Sequence, residues 1–189
     1  MTTNTIYYWT ACKKFWGSAI GTVLVLEEAG VDYKILTPED APSDNRFAYP
    51  SITLKNGLTI GQVPAILNIL GAEFGLCWKS LEEAIYCQQA VLDLNDVFVD
   101  AQSGKFTDDP RRAQNWFNLL ENKLVDKKFF VRDEPTVSDF HAVFATEWVH
   151  KSYSPNAYDN FPRLETWWQD ICAHPTVSKM KTSWIHMIP

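Results

Sequence analysis

Two stretches of the 189-residue chain hold residue types suited to chemistry. The first, YYWTACKKFWGS, presents a phenol at Tyr8, a thiol at Cys12 and a hydroxyl at Ser18. A phenol can donate to an anion as oxyanion-hole groups do; a packed strand aromatic is the plain structural alternative. Lys13 and Lys14 beside Cys12 favour its thiolate, the reactive form. Ser18 stands just before an apolar run of helical period, where it also suits the role of an N-cap. The second stretch, LTIGQVPAILNILG (58–71), puts Gln62 or Val63 at a helix entrance and Pro64 in the first turn. A helix N-terminus offers unpaired amides and the positive end of a dipole to an anion. Proline is tolerated there, because first-turn N–H groups have no intrahelical partner, but it removes one of those amides.

Composition limits what these residues can serve. With 46% hydrophobic and 21% charged residues the chain can bury one good core or two small ones, which excludes disorder and fibres. A net charge of -6 argues against nucleic acid or an anionic membrane as partner. The dense basic spots are short: Lys13-Lys14, Arg111-Arg112 and Lys127-Lys128. No run approaches the roughly 18 uninterrupted apolar residues of a membrane span. The start MTTNTIYYW lacks the basic and apolar regions of a signal peptide, so a cytoplasmic protein is expected. Cys12, Cys77, Cys87 and Cys172 form no CxxC pair and have no local histidine, so reduced thiols and no metal site are expected. His141 falls on a helix, His174 precedes a proline, and His150 and His186 lie near segment ends; all four read as structural. Aromatics reach 14%, enough to fill a core, while Trp9, Trp16 and Trp78 fall near loops where they can line a pocket.

The elements that must position these residues change character near residue 78. Before it, strands alternate with helices; after it, helical period dominates. Residues 6–9 are β-prone, a helix follows from a Ser18 cap to a stop at Gly30, and 31–36 resumes an extended pattern. Such a βαβ unit implies a parallel pair of strands. Residues 37–50 read as loop with one weak helical turn. Alternating residues 51–54 and 58–60 flank Asn56-Gly57, the signature of a β-hairpin. In the helix after it Ala65, Ile66, Ile69 and Leu70 face inward, and Gly71 begins the exit. Ser80 with Glu83, and Thr136 with Asp139, read as capping boxes that open later helices.

Four motifs in this order resemble the cytosolic glutathione S-transferase superfamily, in a divergent tyrosine-type form. Tyr8-Trp9 resembles the pair whose tyrosine hydroxyl stabilises the glutathione thiolate. Tyr49-Pro50-Ser51-Ile52 resembles the cis-proline that opens the third strand and lets the preceding backbone meet the cysteinyl part of glutathione. Gly61-Gln62-Val63-Pro64-Ala65-Ile66 resembles the glutamine-serine entrance that holds the γ-glutamyl carboxylate. Pro135-Thr136-Val137-Ser138-Asp139-Phe140 resembles the capping box of the second domain's central helix, and the segments from Asn160 to Trp168 and from Ala173 to Val177 resemble the helix and His-Pro turn that follow.

The resemblance implies an α/β thioredoxin-like N-terminal domain over 1–77, binding glutathione, and an all-α C-terminal domain over 78–189, binding a hydrophobic substrate. It implies a homodimer, with Asp96 reaching across to a glutathione amine. Tyr8 is the first candidate for activating the thiol and Ser18, where serine- or cysteine-type members carry the reactive group, the second; Cys12 suits reductase chemistry. Trp9, Lys14, Trp16, Tyr49, Pro50, Gln62, Val63 and Asp96 are the expected binding residues. Trp16, Phe106, Phe144 and Trp148 are expected to line the apolar cleft between domains. Two departures stand out: Val63-Pro64 replaces the serine and its successor, and the loop after Tyr8 is several residues longer. Conjugation of the glutathione thiolate to a hydrophobic electrophile is the resulting functional reading. Its alternatives are a non-catalytic binding or structural module on the same fold and a glutathione-dependent isomerase or reductase.

Overall fold

In the computed structural model, which describes residues 3–9, 16–42, 47–77 and 79–182, the N-terminal part forms a four-stranded mixed sheet. Its strands are β1 (Asn4–Tyr7), β2 (Tyr33–Leu36), β3 (Ser51–Thr53) and β4 (Thr59–Gly61), in the spatial order β2-β1-β3-β4. β1 and β2 are parallel, while β3 runs antiparallel to both β1 and β4. Ile6 sits opposite both Ile35 and Ile52, and Ile52 opposite Ile60, so one row of isoleucines crosses the sheet and joins the core. β-branched side chains stacked on one pleated face suit this arrangement.

Strand β1 begins two residues earlier than its apolar alternation suggests. Asn4 is buried because its carboxamide oxygen accepts from the Lys55 backbone N–H at 3.0 Å, which anchors the hairpin turn to the sheet. After the strand, the Tyr8 N–H still donates to Leu36 O at 3.0 Å. A 3-10 turn at Gly17–Ala19 then leads into α1 (Ile20–Glu28). Ser18 lies inside that turn and caps nothing, contrary to expectation; Ala19 occupies the N-cap position. Gly30, at φ +62°, ends α1 as expected, and Val31 N–H donates back to Leu26 O at 3.0 Å. The weak helical turn is a 3-10 turn at Pro38–Asp40, where the Asp40 carboxylate accepts from the Thr37 N–H at 3.1 Å. In the hairpin, Gly57 has φ +87° and the Asn56 side chain accepts from the Leu58 N–H at 2.9 Å.

Helix α2 (Val63–Phe74) departs from expectation at both ends. Ala65 is exposed and Leu67 buried, because the core-facing stripe runs through Val63, Ile66, Leu67 and Leu70 at three- and four-residue spacing. Gly71 does not begin the exit; the helix continues to Phe74 and ends at Gly75, whose φ is +70°. Gly71 is small because Cys77 folds back onto it: a Cβ there would lie 2.7 Å from Cys77 Cβ.

The C-terminal part is helical: α3 (Leu81–Gln102), α4 (Lys105–Asp108), α5 (Pro110–Lys123), α6 (Val137–Ser152), α7 (Pro162–Ala173) and α8 (Pro175–Lys181). Helix α6 is the central one. It is buried continuously from Val137 to Thr146 and packs on α3 and on α1, which joins the helical part to the sheet part. Asp139 accepts from the Thr136 N–H at 2.8 Å, as the capping motif requires, and also from the Phe130 N–H and Trp167 Nε1, each at 3.0 Å. One carboxylate therefore ties the α6 entrance, the preceding loop and α7 together. The Ser80 box closes on one side only. Ser80 Oγ accepts from the Glu83 N–H at 3.2 Å, while Glu83 accepts from the Lys79 N–H at 2.7 Å. The described histidines are packing residues: His150 rests against Tyr158 and Trp168, and His174 against Phe140. His186 lies outside the described residues.

Candidate functional site

A cleft of about 150 Å³ opens where the sheet part meets α3. Its walls are Ser18 from the 3-10 turn, Ala48, Tyr49 and Pro50 from the loop before β3, Gln62, Val63 and Pro64 from the start of α2, and Asn95 and Phe98 from α3. Five of the sequence-predicted site residues, Ser18, Tyr49, Pro50, Gln62 and Val63, thus converge on one place. The Tyr49–Pro50 bond is cis. Tyr49 holds its loop by donating to Pro38 O at 3.0 Å.

Tyr8 lies one step behind the wall. It is buried, and Ser18 Oγ donates to its phenol oxygen at 3.4 Å, so the two candidate activating groups are neighbours. Trp9 is wedged edge-on between the rings of Tyr8 and Tyr49, each 5.5 Å away, and supports the site without lining it. Trp16 is buried and its indole N–H has no hydrogen-bond partner. Cys12, Lys13 and Lys14 fall outside the described residues, as does Trp78.

Gln62 is the residue that turns the chain into α2. Its φ of +65° and ψ of 111° are unusual for a side chain with a Cβ, and such backbone strain persists where surrounding structure enforces it, often at ligand sites. Its carbonyl accepts the first helical bond, from the Ile66 N–H at 3.0 Å. The entrance of α2 has no side-chain cap and no acidic residue in its first turn, whereas α3 has Glu82 and Glu83 there and α6 has Asp139. The positive end of α2 is therefore uncompensated by its own side chains and faces the cleft. Residues 63 and 65 supply N–H groups in this turn; Pro64 has none.

Sequence reasoning missed Asn95 and Phe98. Three residues apart, they share a face of α3 and form the far wall. The expected acidic residue, Asp96, is exposed and stands one position round the helix from Asn95. Among the expected lining aromatics, Phe144 and Trp148 back the wall, with Phe98 4.6 Å from Phe144 and 5.9 Å from Trp148 between ring centres. Phe106 does not line it. That ring is fully buried against Phe117 and Tyr153, because the short helix α4 turns it into the helical core. Among the described residues, no group of three or more His, Cys, Asp or Glu is arranged to hold a metal, and no helix is long and apolar enough to cross a membrane.

A mixed four-stranded sheet followed by a helical part, with a cis-proline loop and an open helix entrance between them, defines the glutathione S-transferase fold. The solved structure of NaGST-2 superposes with a TM-score of 0.77 over 96% of this chain and 97% of that one, at 18% identity. The family described as Glutathione S-transferase, C-terminal domain, matches residues 108–175. A glutathione S-transferase from Hyoscyamus muticus is 25% identical over 108 residues, covering 54% of this chain and 51% of that protein. Glutathione S-transferase F13 from Arabidopsis thaliana is 27% identical over 63 residues, covering 33% and 29%. The chain thus spans about half or less of the curated relatives it matches. Together these findings show a glutathione S-transferase fold and a similarity to glutathione S-transferases that is carried in sequence by the C-terminal region and two partial matches.

Proposed function

We propose that the chain is a glutathione S-transferase whose cleft holds glutathione and presents its thiolate to a hydrophobic electrophile. The observation that carries this reading is the convergence of the cis-proline loop, the strained Gln62, the uncompensated entrance of α2 and the Tyr8–Ser18 pair on one cleft. The γ-glutamyl carboxylate meets the amides and dipole at the α2 entrance, and the backbone of Tyr49 meets the cysteinyl unit. Ser18, in the wall, is the hydroxyl best situated to meet the sulfur; Tyr8 stands one hydrogen bond behind it. The 3.4 Å contact between them is long, and a hydroxyl proton can rotate from Tyr8 to an arriving thiolate. Stabilising the thiolate and holding it near an electrophile supplies the rate enhancement. The C–S bond then forms as the electrophilic carbon's bond to its leaving group breaks, and that group departs with the bonding electron pair, the chemistry of detoxification by conjugation.

Val63 in place of a serine removes a charge-assisted hydrogen bond, which costs about 1.5–3 kcal/mol, roughly ten- to a hundred-fold in affinity. A cleft of about 150 Å³ is also below the roughly 300–1,000 Å³ of sites that enclose a small molecule. These two features favour weak, open-groove binding and support a second reading, a module that binds without catalysing. Dimerisation belongs to the proposal as well. Leu81, Ile85, Leu92 and Val99 form an exposed apolar stripe along α3, Phe47 is 99% exposed, and Asp96 sits beside Leu92 and Val99. A second copy covering the stripe would bring Asp96 to its neighbour's glutathione amine.

The test is glutathione binding by calorimetry together with conjugation of a general aromatic electrophile, in wild type, Val63→Ser, Ser18→Ala and Tyr8→Phe. Micromolar to low-millimolar binding, with turnover that collapses in Ser18→Ala or Tyr8→Phe, supports the transferase. Binding without turnover in any form supports the non-catalytic module. No binding even in Val63→Ser removes glutathione from the proposal.

A further inference from the structure

Away from the cleft, two thiols face each other across the junction of the sheet and helical parts. Cys77 follows α2 and Cys87 lies on α3, with their sulfurs 3.2 Å apart and both side chains buried. The backbone just before Cys77 is fixed by two hydrogen bonds of Leu76. Leu76 N–H donates to Gly71 O at 2.9 Å, and Leu76 O accepts from the Val137 N–H at 2.8 Å. Gly71 leaves room for the Cys77 side chain to lie on α2. Cys87 sits at the entrance of α6.

The two thiols are made unlike by their surroundings. Cys77 donates to Cys87, whose sulfur also lies beside the Thr136 hydroxyl and the Ser138 N–H. These donors hold the Cys87 thiol below the ordinary cysteine range against the opposing effect of burial. Donating to Cys87, and burial, push Cys77 upward. Two sulfurs 3.2 Å apart, with Cys87 the more acidic, place an attacking thiol beside a resolving one.

We propose that Cys77 and Cys87 form a reversible disulfide, with a hydroperoxide as the oxidant. Cys87 sulfur attacks one peroxide oxygen as its thiol gives up its proton; the S–O bond forms as the O–O bond breaks, and the departing hydroxide takes up that proton as water. Cys77 sulfur then attacks Cys87 sulfur. The S–S bond forms, the S–O bond breaks, and the hydroxide leaves with the Cys77 proton as a second water. Two thiols and one hydrogen peroxide thus give one disulfide and two waters, and an external dithiol reverses the change. The sulfurs must close from 3.2 Å to about 2.05 Å, a movement small enough for side-chain rotation and slight approach of the elements. The bond would tie the exit of α2 to α3. The first turn of α2 and the Asn95–Phe98 face of α3 are two walls of the cleft, so the redox state sets how freely those walls separate.

The full-length protein is treated with hydrogen peroxide while folded, quenched by alkylation, digested and analysed by mass spectrometry. A linked pair of peptides carrying Cys77 and Cys87, lighter by two hydrogens and released by dithiothreitol, is expected. It should persist in a Cys12→Ser, Cys172→Ser double variant, and the oxidised protein should melt at a higher temperature than the reduced one. Recovery of both cysteines fully alkylated after peroxide has oxidised Cys12 or Cys172 would overturn the proposal. So would a cross-link that forms as fast in urea as in the folded state, since pre-positioning would then contribute nothing. A Cys87→Ala variant checks assignment of the linked peptides and is not needed for either outcome.

Discussion

Acidification should weaken this protein through one histidine in particular. His141 lies on α6 where it meets α1; it is 1% exposed and neither ring nitrogen has a hydrogen-bond partner. A Cβ on Gly21 of α1 would stand 3.2 Å from His141 Cα and 3.3 Å from Nδ1, so the ring is packed tightly between helices. Burial lowers its pKa from 6.5 to about 4. The folded state thus favours the neutral ring, and the resulting stability is complete above the unfolded pKa and lost as pH falls from 6.5 toward 4. The full shift corresponds to about 3.4 kcal/mol, of which about 2.5 kcal/mol is lost by a pH of roughly 4.5. That is a sizeable part of the roughly 5–15 kcal/mol stability of a typical protein. Urea unfolding followed by tryptophan fluorescence at neutral pH and at that acidic pH, in wild type and His141→Gln, measures it. Carboxylates contribute to acid sensitivity in both proteins and cancel in the comparison. Wild type should lose about 2.5 kcal/mol more than the variant over this interval. Equal losses would show that the ring is hydrated or paired when protonated, and would refute the reasoning.

Three further outcomes follow from packing and polar geometry. Gly71→Ala should destabilise by about 1–3 kcal/mol through collision with Cys77, outweighing the roughly 1 kcal/mol that alanine adds in a helix interior, and a lowered urea midpoint reports it. Asp139→Ala removes the acceptor shared by the Thr136 and Phe130 amides and the Trp167 indole. Leaving such donors unpaired should cost at least about 3 kcal/mol, lowering Tm by roughly 6–12 °C in a scanning calorimeter. If a second copy covers α3, charged substitutions at Leu92 and Val99 should convert a dimer to a monomer in analytical ultracentrifugation, and a wild type that is already monomeric would remove that part of the proposal.

The amino-acid sequence alone determined what depends on neighbours along the chain. The reach of Asp139 back to Thr136, the Asn56-Gly57 hairpin turn and the stop at Gly30 are settled within a few residues by capping and turn chemistry, and the parallel βαβ unit follows from the order of its elements. The motifs quoted from Tyr8 to Phe140 were likewise legible in one dimension, and five of the expected site residues do meet in one cleft. Tertiary structure decided what depends on distant partners. Ser18 turned toward Tyr8 instead of capping α1, because the 3-10 turn before that helix carried it there. Gly71 became a packing position once Cys77 folded onto it, and Phe106 left the cleft for the helical core. Asn95, rather than the charged residue beside it, faces the cleft because the rotation of α3 is set by burial of its long apolar face. The approach of Cys77 to Cys87 has the same origin. Ten positions apart in the sequence, their sulfurs meet only because α2, α3 and the entrance of α6 pack around a single point.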